Sequence, residues 1–219
     1  MISIITPTFN EEETIQDFLK EIKKLKLKNF ELIIVDDSFD KTAEIAKEMM
    51  KKLRIKGKVI KRVGKRGKGS AIRDGLKIAK GENIVLIDAD LQYPVEKIPL
   101  LVEKLKDYDI VNTKKFRRDP FYRKILGLAF RFLVFLLFGL REETQSTFRA
   151  FRKIVKEKID FKSNSFAWDV EFLYKAKKAG FKILSLPIIY KKREKGESKI
   201  KMFTPAKMLI EVLKIRFVK

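Results

Sequence analysis

The stretch NIVLIDADLQYP, residues 83–94, decides how the chain is read. Asn83–Ile87 is a short apolar run rich in Ile, Val and Leu, which predicts a strand buried on both faces. It runs directly into Asp88-Ala89-Asp90. In a strand, residues two apart point the same way, so both carboxylates are expected to aim at one point. The same design recurs upstream. ISIIT (2–6) runs into PTFNEEE, and FELIIVDD (30–37) ends on Asp36-Asp37. Helical periodicity fills the gaps, with Ile15, Phe18, Leu19, Ile22 and Leu25 on one face. Asn10 with Glu13 has the form of a capping box for that helix. A second helix is expected over about 41–53, and KVIKRV (58–63) as a third strand. GKRGKGSAIRDGLKIAKG (64–81) reads as a glycine-rich loop opening a helix. After NIVLIDAD come another helix over PVEKIPLLVEKLKD and a strand DIVNTKK (109–115).

This β-α alternation with near-continuous apolar strands predicts an α/β fold, a mostly parallel sheet flanked by helices. Ligands then sit beyond the carboxyl ends of the strands, where TPTFNE, DDS and DAD all fall. Beyond about Asn112 the pattern changes. A basic aromatic segment, KKFRRDPFYRK, leads into the apolar run GLAFRFLVFLLFGL (127–140). A strand-like TQSTFRAFRK, a helix from Trp168 to Ala179 closed by Gly180, a strand FKILSLPIIY, a basic loop KKREKGESKIK and a final amphipathic helix follow. One domain over 1–219 is expected, its first half (1–113) carrying the polar strand ends and its second half (114–219) the basic and apolar segments.

Composition narrows the chemistry. The 219 residues contain no Cys and no His, which excludes disulfides, thiol nucleophiles, zinc–thiolate sites and imidazole bases. Any metal must be held by oxygen, which points to Mg²⁺ or Mn²⁺. Mg²⁺ commonly takes one or two protein carboxylates and leaves its other positions to water and phosphates, so paired acids in a basic chain suggest a nucleotide-diphosphate site. Lys68, in the glycine-rich loop, is the best phosphate cation, although GKRGKGS is not a Walker A sequence.

Lys and Arg total 51 against 29 Asp and Glu, a net charge of +22. A solvated surface, nucleic acid, anionic lipid or a phosphorylated substrate all answer to that surplus. Against a nucleic-acid binder, the aromatics cluster in apolar runs and do not alternate with cations as a stacking platform would. The abundance of Lys and Glu resembles a thermophile's composition. No secretory signal is read at MISIITPTFN. The 127–140 run is interrupted by Arg131 and is shorter than the roughly 20 residues of a membrane span. It reads either as a helix lying in the membrane interface or as a buried core helix.

The motifs ISIITPTFNEEETI, LIIVDDS, GKGSAIRDGLKIAKG and DADLQYPVE together resemble family 2 glycosyltransferases of the GT-A fold. TQSTFRAFRK, WDVEFLYKAKKAGFKILSLPI and REKGESK narrow the resemblance to polyprenyl-phosphate (dolichyl-phosphate) mannose or glucose synthases, an archaeal-like set. It covers essentially the whole chain and implies inverting transfer of a hexose from GDP-mannose or UDP-glucose to a polyprenyl phosphate. The setting implied is peripheral, on an anionic membrane surface at the cytoplasmic face. By the resemblance, Pro7, Phe9, Asn10 and Glu11 line the first nucleotide loop, and Asp36 and Asp37 grip base and ribose. Lys68 and Gly69 belong to the glycine-basic loop, and Asp88, Asp90 and Gln92 to the metal and diphosphate site. Lys114, Arg117, Ser146 and Arg149 are implied to face the acceptor phosphate, and Arg193, Ser198 and Lys199 to form a mobile basic loop that closes on phosphates. Thr147 departs from a usual Gly, Lys114 from a frequent Arg, and many relatives continue into transmembrane helices beyond a point such as Lys219. A lipid phosphate needs no general base, since its second pKa near about 6 leaves it dianionic at neutral pH. Asp169 is the candidate base if the acceptor is instead a saccharide or other hydroxyl.

Overall fold

A computed structural model describes residues 1–64, 67–116, 121–193, 195 and 204–217. Seven strands form one sheet: β1 (Ile2–Thr8), β2 (Phe30–Asp36), β3 (Gly57–Lys61), β4 (Asn83–Leu86), β5 (Ile110–Phe116), β6 (Arg149–Arg152) and β7 (Ile183–Ile189). Their order is β3-β2-β1-β4-β6-β5-β7. All neighbours are parallel except β6, which runs antiparallel between β4 and β5. A four-residue strand from later in the sequence thus sits between two earlier ones.

Side-chain alternation sends successive strand residues to opposite layers. Ile5, Ile33, Val35 and Leu86 pack with α3 (Lys68–Ile78) and α7 (Trp168–Lys178). Ile4, Leu32, Ile34 and Val85 pack with α1 (Ile15–Lys24), α2 (Thr42–Lys52) and α4 (Ile98–Lys104). Burial on both faces is why these strands read as unbroken apolar runs. The remaining helices are α5 (Phe121–Phe138), α6 (Lys153–Lys158) and α8 (Thr204–Phe217).

Two local expectations are corrected. The Asn10–Glu13 capping box does not form, because α1 begins only at Ile15 and its N-cap residue is Thr14. Asn10 turns through φ 52°, and its side-chain oxygen accepts the Phe39 N–H at 3.0 Å, bracing the β1 loop against the β2 loop. Strand β4 also ends at Leu86, so Asp88 and Asp90 lie in the turn beyond it and strand parity does not orient them. That turn carries Leu91 at φ 57°, a left-handed conformation that a leucine seldom adopts.

The apolar helix α5 is shared between core and surface. Val134 and Phe138 are buried and Phe130 and Leu137 pack against the core, while Leu128, Phe132 and Leu136 are 56–64% exposed. Helix α8 follows the same plan, with Val212 buried and Ile210 and Phe217 exposed. Among the described residues no helix is long and apolar enough to cross a membrane.

Candidate active site

The carboxyl ends of β1, β2 and β4 meet, and the acidic groups there are each engaged by a cation or by hydroxyls. Asp36 is buried and accepts the Thr8 and Ser38 hydroxyls at 2.6 and 2.5 Å. Burial pushes its carboxyl up, against the pull of those two bonds. Asp37 is also buried and receives Arg62 in a two-pronged contact, Nε at 2.7 Å and Nη2 at 2.6 Å. Arg62 continues to the Ser70 hydroxyl at 2.8 Å and Asp74 at 3.0 Å, so one guanidinium ties the β2 loop to the start of α3. The sequence reading did not single out Arg62. The register that sets Asp36 opposite Lys61 puts Arg62 next to Asp37, and only the pairing of β2 with β3 reveals it.

Pro7 ends in β1 beside Val35, and Phe9 packs edge-on against Phe39 with ring centroids 5.9 Å apart. Phe39 is 74% exposed, an aromatic at the mouth of the site that sequence reasoning also missed. Gly69 is buried for packing: a Cβ there would meet the Ser163 carbonyl oxygen at 2.5 Å and Trp168 Cβ at 2.8 Å. Its neighbour Gly67, at φ 94°, lets the chain turn into α3 where a Cβ would strike the Asn164 carbonyl oxygen at 2.3 Å.

Lys68 leaves the first turn of α3 and reaches the acidic pair. Its ammonium lies 2.9 Å from Asp88 and donates to the Thr147 hydroxyl, with the Phe166 ring 5.6 Å away. Burial pulls its pKa down, but Asp88 and Asp169 outweigh that and hold it above the ordinary lysine value. Asp90 is met from the other side by Arg193, whose Nη1 is 3.9 Å from it and whose Nη2 pairs with Glu11. Burial and the charge of Asp88 push the Asp90 carboxyl up to about 6.

Gln92 joins the acidic pair through its backbone alone, its N–H donating to Asp90 at 3.2 Å, while its side chain turns away. Its side-chain oxygen accepts the Tyr190 hydroxyl at 2.8 Å, its amide donates to the Lys191 carbonyl at 3.2 Å, and its own carbonyl accepts the Lys191 N–H at 2.9 Å. It clasps the segment after β7 to the turn after β4.

The acceptor-side residues divide. Ser146 is buried and bonds Thr113 at 2.7 Å. Arg149 is fully buried, donates to the Ser146 carbonyl and pairs with Asp169 at 2.6 Å. Its guanidinium lies 4.9 Å from the Phe172 ring centroid. Both Ser146 and Arg149 therefore support the site from beneath. Asp169 is held up by burial, against Arg149 and Lys68, and is spent on Arg149. Lys114 is exposed, whereas Lys115, one residue on, stands 4.8 Å over the Tyr190 ring and 5.6 Å over Tyr93. Strand parity carries this signal: Thr113 bonds Ser146 inside, so Lys115 shares its side and Lys114 does not. Arg117, Ser198 and Lys199 lie outside the described residues.

A divalent cation is a fair test of the site. Asp88 and Asp90 stand two residues apart, with burial and then the charge of Asp88 raising Asp90, and both already draw cations. The chain offers only oxygen donors, since it has neither His nor Cys. Among the described residues no group of three or more acidic, His or Cys side chains is set to hold a metal.

The comparisons with known proteins agree with this architecture. Residues 3–177 match the model of glycosyl transferase family 2, and the chain belongs to that family, with the GT-A fold. Among its relatives, a dolichol-phosphate mannosyltransferase of Pyrococcus furiosus is 35% identical over 213 residues, covering 91% of this chain. The chain spans 59% of that relative's length. A dolichyl-phosphate hexose transferase of Haloferax volcanii is 28% identical over 92% of this chain and 87% of its own length. The fold also matches glucosyl-3-phosphoglycerate synthase of Mycobacterium tuberculosis, crystallised with Mn²⁺, UDP and phosphoglyceric acid. That match has TM-score 0.79 and 20% identity, over 100% of this chain and 79% of the other.

Proposed function

We propose that the chain transfers a hexose from a nucleotide-diphosphate sugar to a polyprenyl (dolichyl) phosphate, with inversion, while bound peripherally at the cytoplasmic face of a membrane. The observation that carries this is the state of the site's carboxylates. Asp88 is held by Lys68, Asp90 and Glu11 by Arg193, Asp37 by Arg62 and Asp169 by Arg149. Asp36, the remaining acid of the cluster, is buried under the Thr8 and Ser38 hydroxyls, and the chain has no histidine. A hydroxyl acceptor needs its proton taken; a phosphate monoester is largely dianionic at neutral pH and brings its own nucleophile. Transfer then rests on position and charge.

In this reading Asp88 and Asp90 hold Mg²⁺ or Mn²⁺, which supplies neutralising charge for the leaving nucleotide diphosphate. Phe9 and Phe39 offer an aromatic corner for the base. Lys115 and Arg193 present cations where the acceptor phosphate would sit, and Arg117, Ser198 and Lys199 are assigned to the same task by the resemblance alone. The relatives' names favour a dolichyl-type lipid. The exposed apolar stripe Leu128, Phe132, Leu136 on α5 supports an interfacial setting. With a net charge of +22, the chain suits an anionic leaflet, where each Lys or Arg near the surface adds about 1 kcal/mol. The test is to incubate the protein with labelled GDP-mannose or UDP-glucose, Mn²⁺ and vesicles carrying polyprenyl phosphate. Label in the lipid extract supports the proposal; label only in water-soluble product refutes it.

A further inference from the structure

Arg193 is held on the acidic site by more than its own charge. Two residues earlier the backbone of Lys191 exchanges hydrogen bonds with Gln92, and the Tyr190 hydroxyl adds a third at 2.8 Å. Beyond it, Lys195 pairs with Asp17 on α1 at 2.7 Å. Arg193 Nε donates to the Lys195 carbonyl at 2.8 Å, fixing the head group between these anchors. The guanidinium then spans two carboxylates, Glu11 by a hydrogen bond and Asp90 at 3.9 Å, with only 13% of its side chain exposed. A cation tethered this closely has a high effective concentration at its site.

We infer that Arg193 is a built-in counter-cation of the acidic pair, which an entering divalent cation must displace from Asp90. The inference rests on the cation reading above and adds an order of events to it. Two positive groups cannot share Asp90 at contact distance without strong repulsion. Cation entry therefore pushes the guanidinium off Asp90, while Glu11 keeps it within reach. The displaced head group is then available to a phosphate, so the same event that loads the metal releases a phosphate-binding arginine. Metal affinity in the absence of nucleotide is thereby lowered, and nucleotide, by giving Arg193 a new partner, raises it.

The test is a calorimetric Mn²⁺ titration of the full chain without nucleotide or lipid. Arg193→Gln should bind Mn²⁺ about tenfold more tightly than the unsubstituted chain, the size of one charge-assisted contact. Arg193→Lys keeps the charge but cannot span Glu11 and Asp90, and its affinity should fall between the two. Lys195→Gln removes the same charge at an exposed position held by Asp17, and should change affinity by less than about twofold because solvent screens it. Equal or weaker binding by Arg193→Gln overturns the inference. So does an equal gain in Lys195→Gln, which would mean that net charge alone is responsible. If no variant binds Mn²⁺, the cation reading itself falls and this inference falls with it, whereas equal binding by all leaves the cation reading standing and removes only this inference.

Discussion

Replacing Arg62 with alanine removes a cation that the β2 loop shares with the start of α3. Its side chain is 3% exposed and that of Asp37 is 5%, so solvent cannot substitute for the lost partner. Breaking a buried pair from one side costs up to about 3–5 kcal/mol, because the remaining carboxylate loses a two-pronged partner while it stays buried. The contacts to Ser70 and to the partly exposed Asp74 add little beyond this. For a domain of this size each kcal/mol moves Tm by about 2–4 °C, so Arg62→Ala should lower Tm by about 6–20 °C. Denaturant unfolding followed by circular dichroism measures the free energy directly. Adding Asp37→Asn should recover part of the loss, since the buried charge that Arg62 had neutralised is then gone. A loss below about 1 kcal/mol, the size of an exposed pair, would refute the reasoning. Further destabilisation by Asp37→Asn would refute it equally, and would return Asp37 to a purely nucleotide-facing role.

Asp90→Asn should abolish metal-dependent nucleotide binding and leave the fold intact, as shown by calorimetry and circular dichroism. Because the folded carboxyl titrates near about 6 and the unfolded one near about 3.9, the ionised Asp90 disfavours the metal-free fold above pH about 6. Asp90→Asn should therefore raise metal-free stability at pH 7 by on the order of 2 kcal/mol, with the gain gone below pH about 4; a Tm series from pH 4 to 8 checks the sign. Phe132→Glu with Leu136→Glu should weaken co-sedimentation with anionic vesicles at least about tenfold at unchanged Tm, since both side chains are exposed. Unfolding of this variant would assign that face to the core. Arg193→Ala should slow turnover about 10- to 150-fold at saturating lipid phosphate, from the loss of a charge-assisted partner of about 1.5–3 kcal/mol. Normal turnover would remove Arg193 from phosphate binding.

The parallel part of the sheet was legible because β1, β2 and β4 are buried on both faces and so advertise themselves as apolar runs. Strand β6 was harder: four residues carry little periodicity, and its antiparallel insertion between β4 and β5 is a long-range pairing. The capping box failed because Asn10 has a stronger use across the chain, at the Phe39 N–H. At the site, residue types were easier to read than partners. Asp88, Asp90, Glu11, Lys68 and Arg193 do come together. Which carboxylate each cation serves depends on strand neighbours far apart in sequence. The same distance hid Arg62, and it turned Gln92 toward Tyr190. Lys115 was the legible miss, since parity from Thr113 points to it.

The central claim is that the acceptor supplies the nucleophile. Its most direct measurement is the initial rate of hexose transfer from labelled nucleotide sugar, with Mn²⁺, to polyprenyl phosphate and to the matching polyprenol in the same anionic vesicles, from pH 5 to 8. Transfer to the phosphate alone is expected, with a rate that climbs through pH about 6 as the monoester gains its second charge. Comparable transfer to the alcohol would contradict it, because the site would then have to contain a base that its paired carboxylates do not provide.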